Sequence, residues 1–210
     1  MLKVLVVDDF PLFRRGVRDL LAEGFQDSKI GEAGNAQEML ELLRRKPWDV
    51  AVLDISMPGM SGLDAIKQVK QEFPDLPVLI LSMYPEEQYA VRMIKAGADG
   101  YLTKSSAPEE LVNAIKKVHG GGKYVSPSLG EALAFTVKPG AEKNPHESLS
   151  DREYQVLCLI GSGKTVSEIA DKTNLSVTTI STYRARILEK MRMKTNAELT
   201  RYAIQQGLVE

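Results

Sequence analysis

The chain has a single cysteine and only two histidines in 210 residues. Cys158 cannot close an internal disulfide, which fits a reducing compartment and a core thiol. His119 and His146 lie far apart, with no cysteine beside them, so zinc is not expected. Long apolar runs are missing: none approaches the roughly 18–20 residues of a membrane span. No basic and then apolar leader precedes the first strand-like run, which points to the cytoplasm. Neither sign of charge dominates, with 27 Lys and Arg against 28 Asp and Glu. A polyanion partner must therefore be sought in a local cluster, not in the whole chain.

Four short apolar runs are present, and each ends in a reactive polar residue. Val4-Leu5-Val6-Val7 leads to Asp8 and Asp9, and Val50-Ala51-Val52-Leu53 leads to Asp54. Val78-Leu79-Ile80-Leu81 leads to Ser82, and Tyr101-Leu102-Thr103 leads to Lys104. Unbroken, β-branched-rich runs of this length are the pattern of strands buried on both faces of a parallel sheet. A further short strand is expected over Ile30–Ala33. Helix-period segments alternate with the strands, so residues 1–122 read as five βα units. The fold class is α/β: a doubly wound, five-stranded parallel sheet, flavodoxin-like, followed by a small all-α unit.

Parallel strands finish at one edge, which gathers Asp8, Asp9, Asp54, Ser82 and Lys104 at one rim. Clustered carboxylates repel one another unless a cation intervenes. An acidic, oxygen-only, incomplete donor set suits Mg²⁺, which keeps several waters and shares a phosphate. Lys104 can meet a phosphate oxygen as a point charge and Ser82 can hydrogen-bond another. Asp54, at the central strand end, is the expected nucleophile for a phosphoryl group, with Asp8 and Asp9 as its metal-holding partners. Met57-Pro58-Gly59-Met60 is expected to form a tight turn beyond it.

Regularity fades over 123–147, where Pro127, Pro139, Gly140, Asn144 and Pro145 forbid a long element. Leu129–Phe135 is long enough for a short helix. From 148 to 210 the pattern is helical. Three capping boxes mark starts: Ser150 with Glu153, Thr165 with Glu168, and Thr195 with Glu198. Ser176 is a further N-cap. Between 184 and 194 stand Arg184, Arg186, Lys190, Arg192 and Lys194, against Glu189 alone. Helix, short turn and a second helix with a polar face (Ser181, Thr182, Arg184, Ala185, Arg186) fit helix-turn-helix geometry.

Residues 3–120 resemble the receiver domain of two-component response regulators. Val7-Asp8-Asp9, Leu53-Asp54-Ile55-Ser56-Met57-Pro58-Gly59, Leu81-Ser82 and Gly100-Tyr101-Leu102-Thr103-Lys104 carry the resemblance. It implies that Asp54 accepts a phosphoryl group from a sensor histidine kinase. It implies Mg²⁺ on Asp9, Asp54 and the backbone carbonyl of Ser56, with Asp8 reaching it through water. Ser82 and Tyr101 would be a switch pair, the hydroxyl moving to the phosphate and the ring swinging inward. Phe10 departs from the polar residue that often follows the acidic pair.

Residues 148–210 resemble the DNA-binding domain of the LuxR/NarL/FixJ group. The match runs through Leu149-Ser150-Asp151-Arg152-Glu153, Gly163-Lys164, Glu168-Ile169-Ala170, Leu175-Ser176-Val177, Thr179-Ile180, Tyr183, Ile187, Lys190 and Ala197-Glu198-Leu199. The resemblance adds Lys164, Thr179, Tyr183 and Lys190 to the expected DNA-facing set, and Ser181 and Tyr183 stand where many members carry Lys and His. A phosphorylation-controlled transcription regulator that binds double-stranded DNA as a homodimer follows, and not an enzyme. A phosphatase with an aspartyl nucleophile needs a general acid two residues on, and Ser56 stands there. An adaptor whose tail has lost DNA is the third reading, disfavoured by the basic cluster.

Overall fold

The computed structural model describes residues 1–57, 59–127, 129–131 and 144–209, apart from the side chains of Glu87 and Gln88. Pro58, Pro139, Gly140 and most of the short helix expected at Leu129–Phe135 lie outside the described residues. Contacts divide the chain into two units, Met1–Pro139 and Gly140–Glu210.

In the first unit, strands and helices alternate: β1 (Leu2–Val7), α1 (Pro11–Gly24), β2 (Ser28–Ala33), α2 (Ala36–Arg45) and β3 (Val50–Leu53). There follow α3 (Gly62–Glu72), β4 (Val78–Ser82), α4 (Glu86–Lys95), β5 (Gly100–Thr103) and α5 (Ala107–His119). The sheet is wholly parallel, in the order β2-β1-β3-β4-β5. β3 and β4 are buried along their whole length, as their unbroken apolar runs require. The outer strand β2 is mostly half-buried and carries Lys29 and Glu32 on its exposed positions. It begins at Ser28, two residues before the expected start. Val4, Val6, Val52, Leu79 and Leu81 meet Leu111, Ala114, Ile115 and Val118 of α5 in one core. Pro11 occupies the first turn of α1, where its missing N–H costs nothing. Gly97 follows α4 at φ +116, a conformation that favours glycine.

The second unit opens with a 3₁₀ turn (Pro145–Ser148). Then come α6 (Asp151–Gly161), α7 (Val166–Thr173), α8 (Val177–Met191) and α9 (Asn196–Gln205). Ser150 with Glu153 and Thr165 with Glu168 form full capping boxes, and Ser176 accepts from the Thr179 N–H. The third box closes only halfway. Thr195 accepts from the Glu198 N–H, but the Glu198 carboxylate reaches one residue further back, to the Lys194 N–H at 2.6 Å. α8 packs on α6 and α7, and α9 on α6. Gly161 permits the α6–α9 approach: a Cβ there would lie 2.7 Å from the Ala203 Cβ.

Candidate functional site: an acidic strand-end rim and an exposed helix face

At the carboxyl edge of the sheet, carboxylate oxygens of Asp8, Asp9 and Asp54 lie within 4.8 Å of one another. Asp8 and Asp54 are buried, each 2% exposed, and Asp9 is exposed. β1 and β3 are hydrogen-bonded neighbours, and the Asp54 N–H donates to the Val7 carbonyl at 2.9 Å. That pairing sets the two strand ends side by side. Asp8 Oδ1 accepts from the Phe10 N–H at 2.8 Å, and Asp54 Oδ1 accepts from the Ser56 N–H at 2.8 Å. These turn bonds leave Oδ2 of each aspartate pointing at Lys104, whose Nζ stands 2.6 Å from Asp8 and 2.8 Å from Asp54. Lys104 itself is placed by its backbone, its N–H donating to the Ser82 carbonyl at 2.7 Å.

The charges at this rim do not balance. One ammonium faces two buried carboxylates with a third nearby. Burial lifts the Asp8 carboxyl above its ordinary range, although Lys104 and the Phe10 N–H pull the other way. Burial acts to lower Lys104, but Asp54 and then Asp8 outweigh it and hold its ammonium above the usual lysine range. A hard cation with oxygen ligands fits such a donor set. Phe13 is an addition that sequence reasoning missed: its ring lies under Lys104, with Nζ 4.4 Å from the centroid. Helical spacing from Phe10 would have marked Phe13 as facing the same edge.

Ser82 is fully buried, and its Oγ accepts from the Tyr84 N–H at 3.1 Å. Tyr101 is 1% exposed, and its Oη donates to the Tyr84 carbonyl at 2.9 Å. The ring therefore already lies inside. Burial raises the Tyr101 phenol, and the charges of Asp54 and Glu86 add to the effect.

In the helical unit, Ile180, Ile187 and Met191 bury one stripe of α8. Thr178, Ser181, Thr182, Ala185, Arg186 and Glu189 form the exposed stripe, at the spacing of one helix face. Thr178 belongs to this face and was missed, although it stands three and four residues before Ser181 and Thr182. Thr179, Tyr183 and Arg184 are half-buried, and Arg184 Nε donates to Asn196 Oδ1 at 2.5 Å. Lys190 Nζ lies 2.6 Å from Glu153 Oε2, and Lys164 lies 3.9 Å from Glu168. The sequence cluster of cations is thus partly committed within the unit.

Two family models match the chain. Residues 4–116 match the response regulator receiver domain, and residues 147–203 match the bacterial regulatory proteins of the luxR family. The response regulator GacA of Pseudomonas aeruginosa is 38% identical over 213 residues, covering 100% of this chain and 99% of GacA. The response regulator UvrY of Escherichia coli K12 is 35% identical, covering 99% of this chain and 96% of UvrY. The chain belongs to the response regulators. It joins a receiver domain to a LuxR-type helix-turn-helix DNA-binding domain, the architecture of a two-component transcription regulator. Among solved structures, one of two RcsB dimers bound to two parallel DNAs is 28% identical. It covers 96% of this chain and 97% of RcsB, with a TM-score of 0.58. Receivers generally use Mg²⁺ at an acidic pocket, and Asp8, Asp9 and Asp54 form such a pocket here. Among the described residues no helix is long and apolar enough to cross a membrane.

Proposed function

We propose that residues 1–122 act as the receiver, that 123–147 connect, and that 148–210 read DNA, with Asp54 as the phospho-acceptor. The observation that carries this reading is the setting of the Asp54 carboxylate. It is buried at the end of a central strand, with one oxygen on the Ser56 N–H and the other on Lys104. An Asp54 oxygen attacks the phosphorus of a phosphohistidine on a sensor kinase. An O–P bond forms, the P–N bond breaks, and the imidazole leaves with a proton. Asp8, Asp9, Asp54 and the Ser56 carbonyl are the groups that would hold Mg²⁺. The metal, when bound, offsets charge on the phosphoryl oxygens and the carboxylate. Lys104 and Ser82 meet the phosphoryl oxygens, and Tyr101 works with Ser82 as the switch pair. Ser56, two residues past Asp54, offers no carboxylic acid, which supports a lasting aspartyl phosphate and not an enzyme with turnover on outside substrates.

For DNA, the exposed Ser181, Thr182, Ala185 and Arg186 face a major groove. Thr179, Tyr183 and Arg184 flank them, and Lys164 and Lys190 lie toward phosphates. Paired half-sites then call for a homodimer. The setting is the cytoplasm. The test pairs two measurements on the full chain. Asp54→Asn should take up no phosphoryl group from acetyl phosphate with Mg²⁺, and phosphorylated wild type should bind promoter DNA more tightly than that variant. Label on Asp54→Asn, or equal DNA affinity, would sink the reading.

A further inference from the structure

The outward face of α8 is small and nearly uncharged. Val177, Ser181 and Ala185 form one exposed row at i, i+4 spacing, and Thr178, Thr182 and Arg186 form the row beside it. Glu189 closes the stripe. Val177 is 51% exposed, the one large apolar side chain so placed among the described residues of α8. It stands directly after the N-cap Ser176, in the turn that a recognition helix presents to base edges.

Base recognition in a major groove draws on few side-chain types. Arg and Lys pair with guanine, Asn and Gln with adenine, and Glu and Asp accept from cytosine, whereas thymine is met by apolar contact with its methyl group. From Val177 to Ala185 the two exposed rows hold none of the first three kinds. The long side chains nearby are committed within the unit. Arg184 Nε donates to Asn196 Oδ1 at 2.5 Å, and Lys190 Nζ lies 2.6 Å from Glu153 Oε2. The Thr182 hydroxyl is committed to its own helix, donating to the Thr178 carbonyl at 3.0 Å. That bond leaves the Thr182 methyl as the group it offers a ligand. The face therefore presents Val177, the Thr182 methyl and the Ala185 methyl, with the Thr178 and Ser181 hydroxyls among them. Side chains this short also let the helix backbone come close to the groove floor.

We infer that α8 selects thymine-rich half-sites by methyl contact, through Val177, Thr182 and Ala185. Val177 and Ala185 are separated by about 12 Å along the helix axis. At about 3.4 Å per base pair, their row meets about three to four successive steps. Arg186, the one exposed cation of the stripe, supplies attraction that does not depend on thymine. Val177, Thr182 and Ala185 are thus the specificity-determining residues. The inference rests on α8 being the helix that reads DNA.

The test uses the full chain with Mg²⁺ and acetyl phosphate. Duplexes that it selects from a random-sequence library are remade with uracil in place of thymine, which removes the methyl and keeps the base pair. Selected half-sites should share thymines, and uracil should weaken wild-type binding about tenfold, at roughly fourfold for each methyl taken from an apolar contact. Thr182→Ser keeps the hydroxyl and removes the protein's methyl. It should bind the thymine duplex about fourfold more weakly than wild type and the uracil duplex equally well. Val177→Ala should show the same pattern, whereas Arg186→Ala should lose one factor on both duplexes. Equal wild-type affinity for thymine and uracil duplexes overturns methyl reading, while a loss in Arg186→Ala still keeps α8 on DNA. A uracil penalty as large in Thr182→Ser and Val177→Ala as in wild type overturns the assignment to these residues. Binding to no duplex at low salt overturns the DNA-reading assignment as well.

Discussion

Each unit buries carboxylate against lysine, and the two arrangements run in opposite directions. In the helical unit Glu153 meets Lys190 at 2.6 Å and accepts from the Ser150 N–H at 2.8 Å. Burial would raise it, but Lys190 and Ser150 win, and its carboxyl is held below the ordinary range. At the rim, Asp8 also meets a lysine at 2.6 Å and a backbone N–H at 2.8 Å, yet burial wins and its carboxyl is held above the ordinary range. The difference lies first in burial, which outweighs the lysine at the rim and does not in the helical unit, and only then in the second carboxylate. Asp54 shares the single ammonium with Asp8, and its charge adds to the lift. A matched pair holds two helices together, and a mismatched one leaves excess negative charge of the kind a hard cation can offset.

Removing the shared ammonium tests the mismatch most severely. Lys104→Met leaves the buried Asp8 and Asp54 carboxylates with backbone N–H partners but no cation, and breaking a buried pair costs about 3–5 kcal/mol. Asp8, already raised, can take up a proton and limit the loss. The receiver should therefore lose about 3 kcal/mol in urea unfolding with chelator present, and Mg²⁺ should return part of it. An unchanged midpoint in chelator would mean that the ammonium does not hold the rim together.

The matched pair should respond less and with a different pH signature. Lys190 is 41% exposed, so its attraction is screened, and Glu153→Gln keeps the Ser150 cap. The expected cost is about 1 kcal/mol. Because the folded carboxyl is depressed, the Glu153 contribution is fully present above its unfolded value near 4.5 and is lost as pH falls through the folded one. Glu153→Gln should flatten that acid limb of the helical unit's stability. A parallel shift of the whole pH curve, with the limb intact, would place the pH dependence elsewhere.

The strand ends were legible in the sequence because strands buried on both faces leave unbroken apolar runs, and parallel strands share an edge. What crosses the rim was less so. Asp8 and Lys104 lie 96 residues apart, and which oxygen meets the ammonium depends on turn bonds to Phe10 and Ser56 that no periodicity encodes. Helix starts read well, since a capping box is local, but the Glu198 side chain chose Lys194 over Thr195. Lys123–Ser126 read as linker, although Tyr124 pairs with Gly100 of β5 as an isolated parallel bridge, because a single bridge residue has no period to detect. In α8 the charge cluster was visible, but its division was not. Lys190 answers to Glu153, 37 residues earlier, whereas Arg186 is exposed and makes no ion pair among the described residues.

That division gives a binding prediction. Arg186→Ala should weaken DNA binding about fivefold to tenfold and lower the salt slope by about one unit. Lys190→Ala should instead spend much of its effect on stability, since Glu153 loses its partner. Salt titrations of DNA affinity beside thermal unfolding separate the two. Equal loss of slope with unchanged stability for Lys190→Ala would make it a phosphate contact first.

The smallest expected effect concerns the ring beneath the rim's lysine. Phe13 is half-buried and packs against the α1–α5 core, so truncation would mix lost packing with lost charge contact. Phe13→Leu keeps most of the apolar volume and removes the quadrupole. A cation on an aromatic face is worth about 0.5–1 kcal/mol where partly exposed. Packing alone predicts the same loss whether or not an ammonium sits above the ring. The contact predicts a loss that disappears in the Lys104→Met background. A double-mutant cycle in urea should give a coupling of about 0.5 kcal/mol or more between positions 13 and 104. Phe13→Tyr, which keeps the face, should preserve it. Additive costs would reduce Phe13 to core packing and leave the two carboxylates as the whole hold on Lys104.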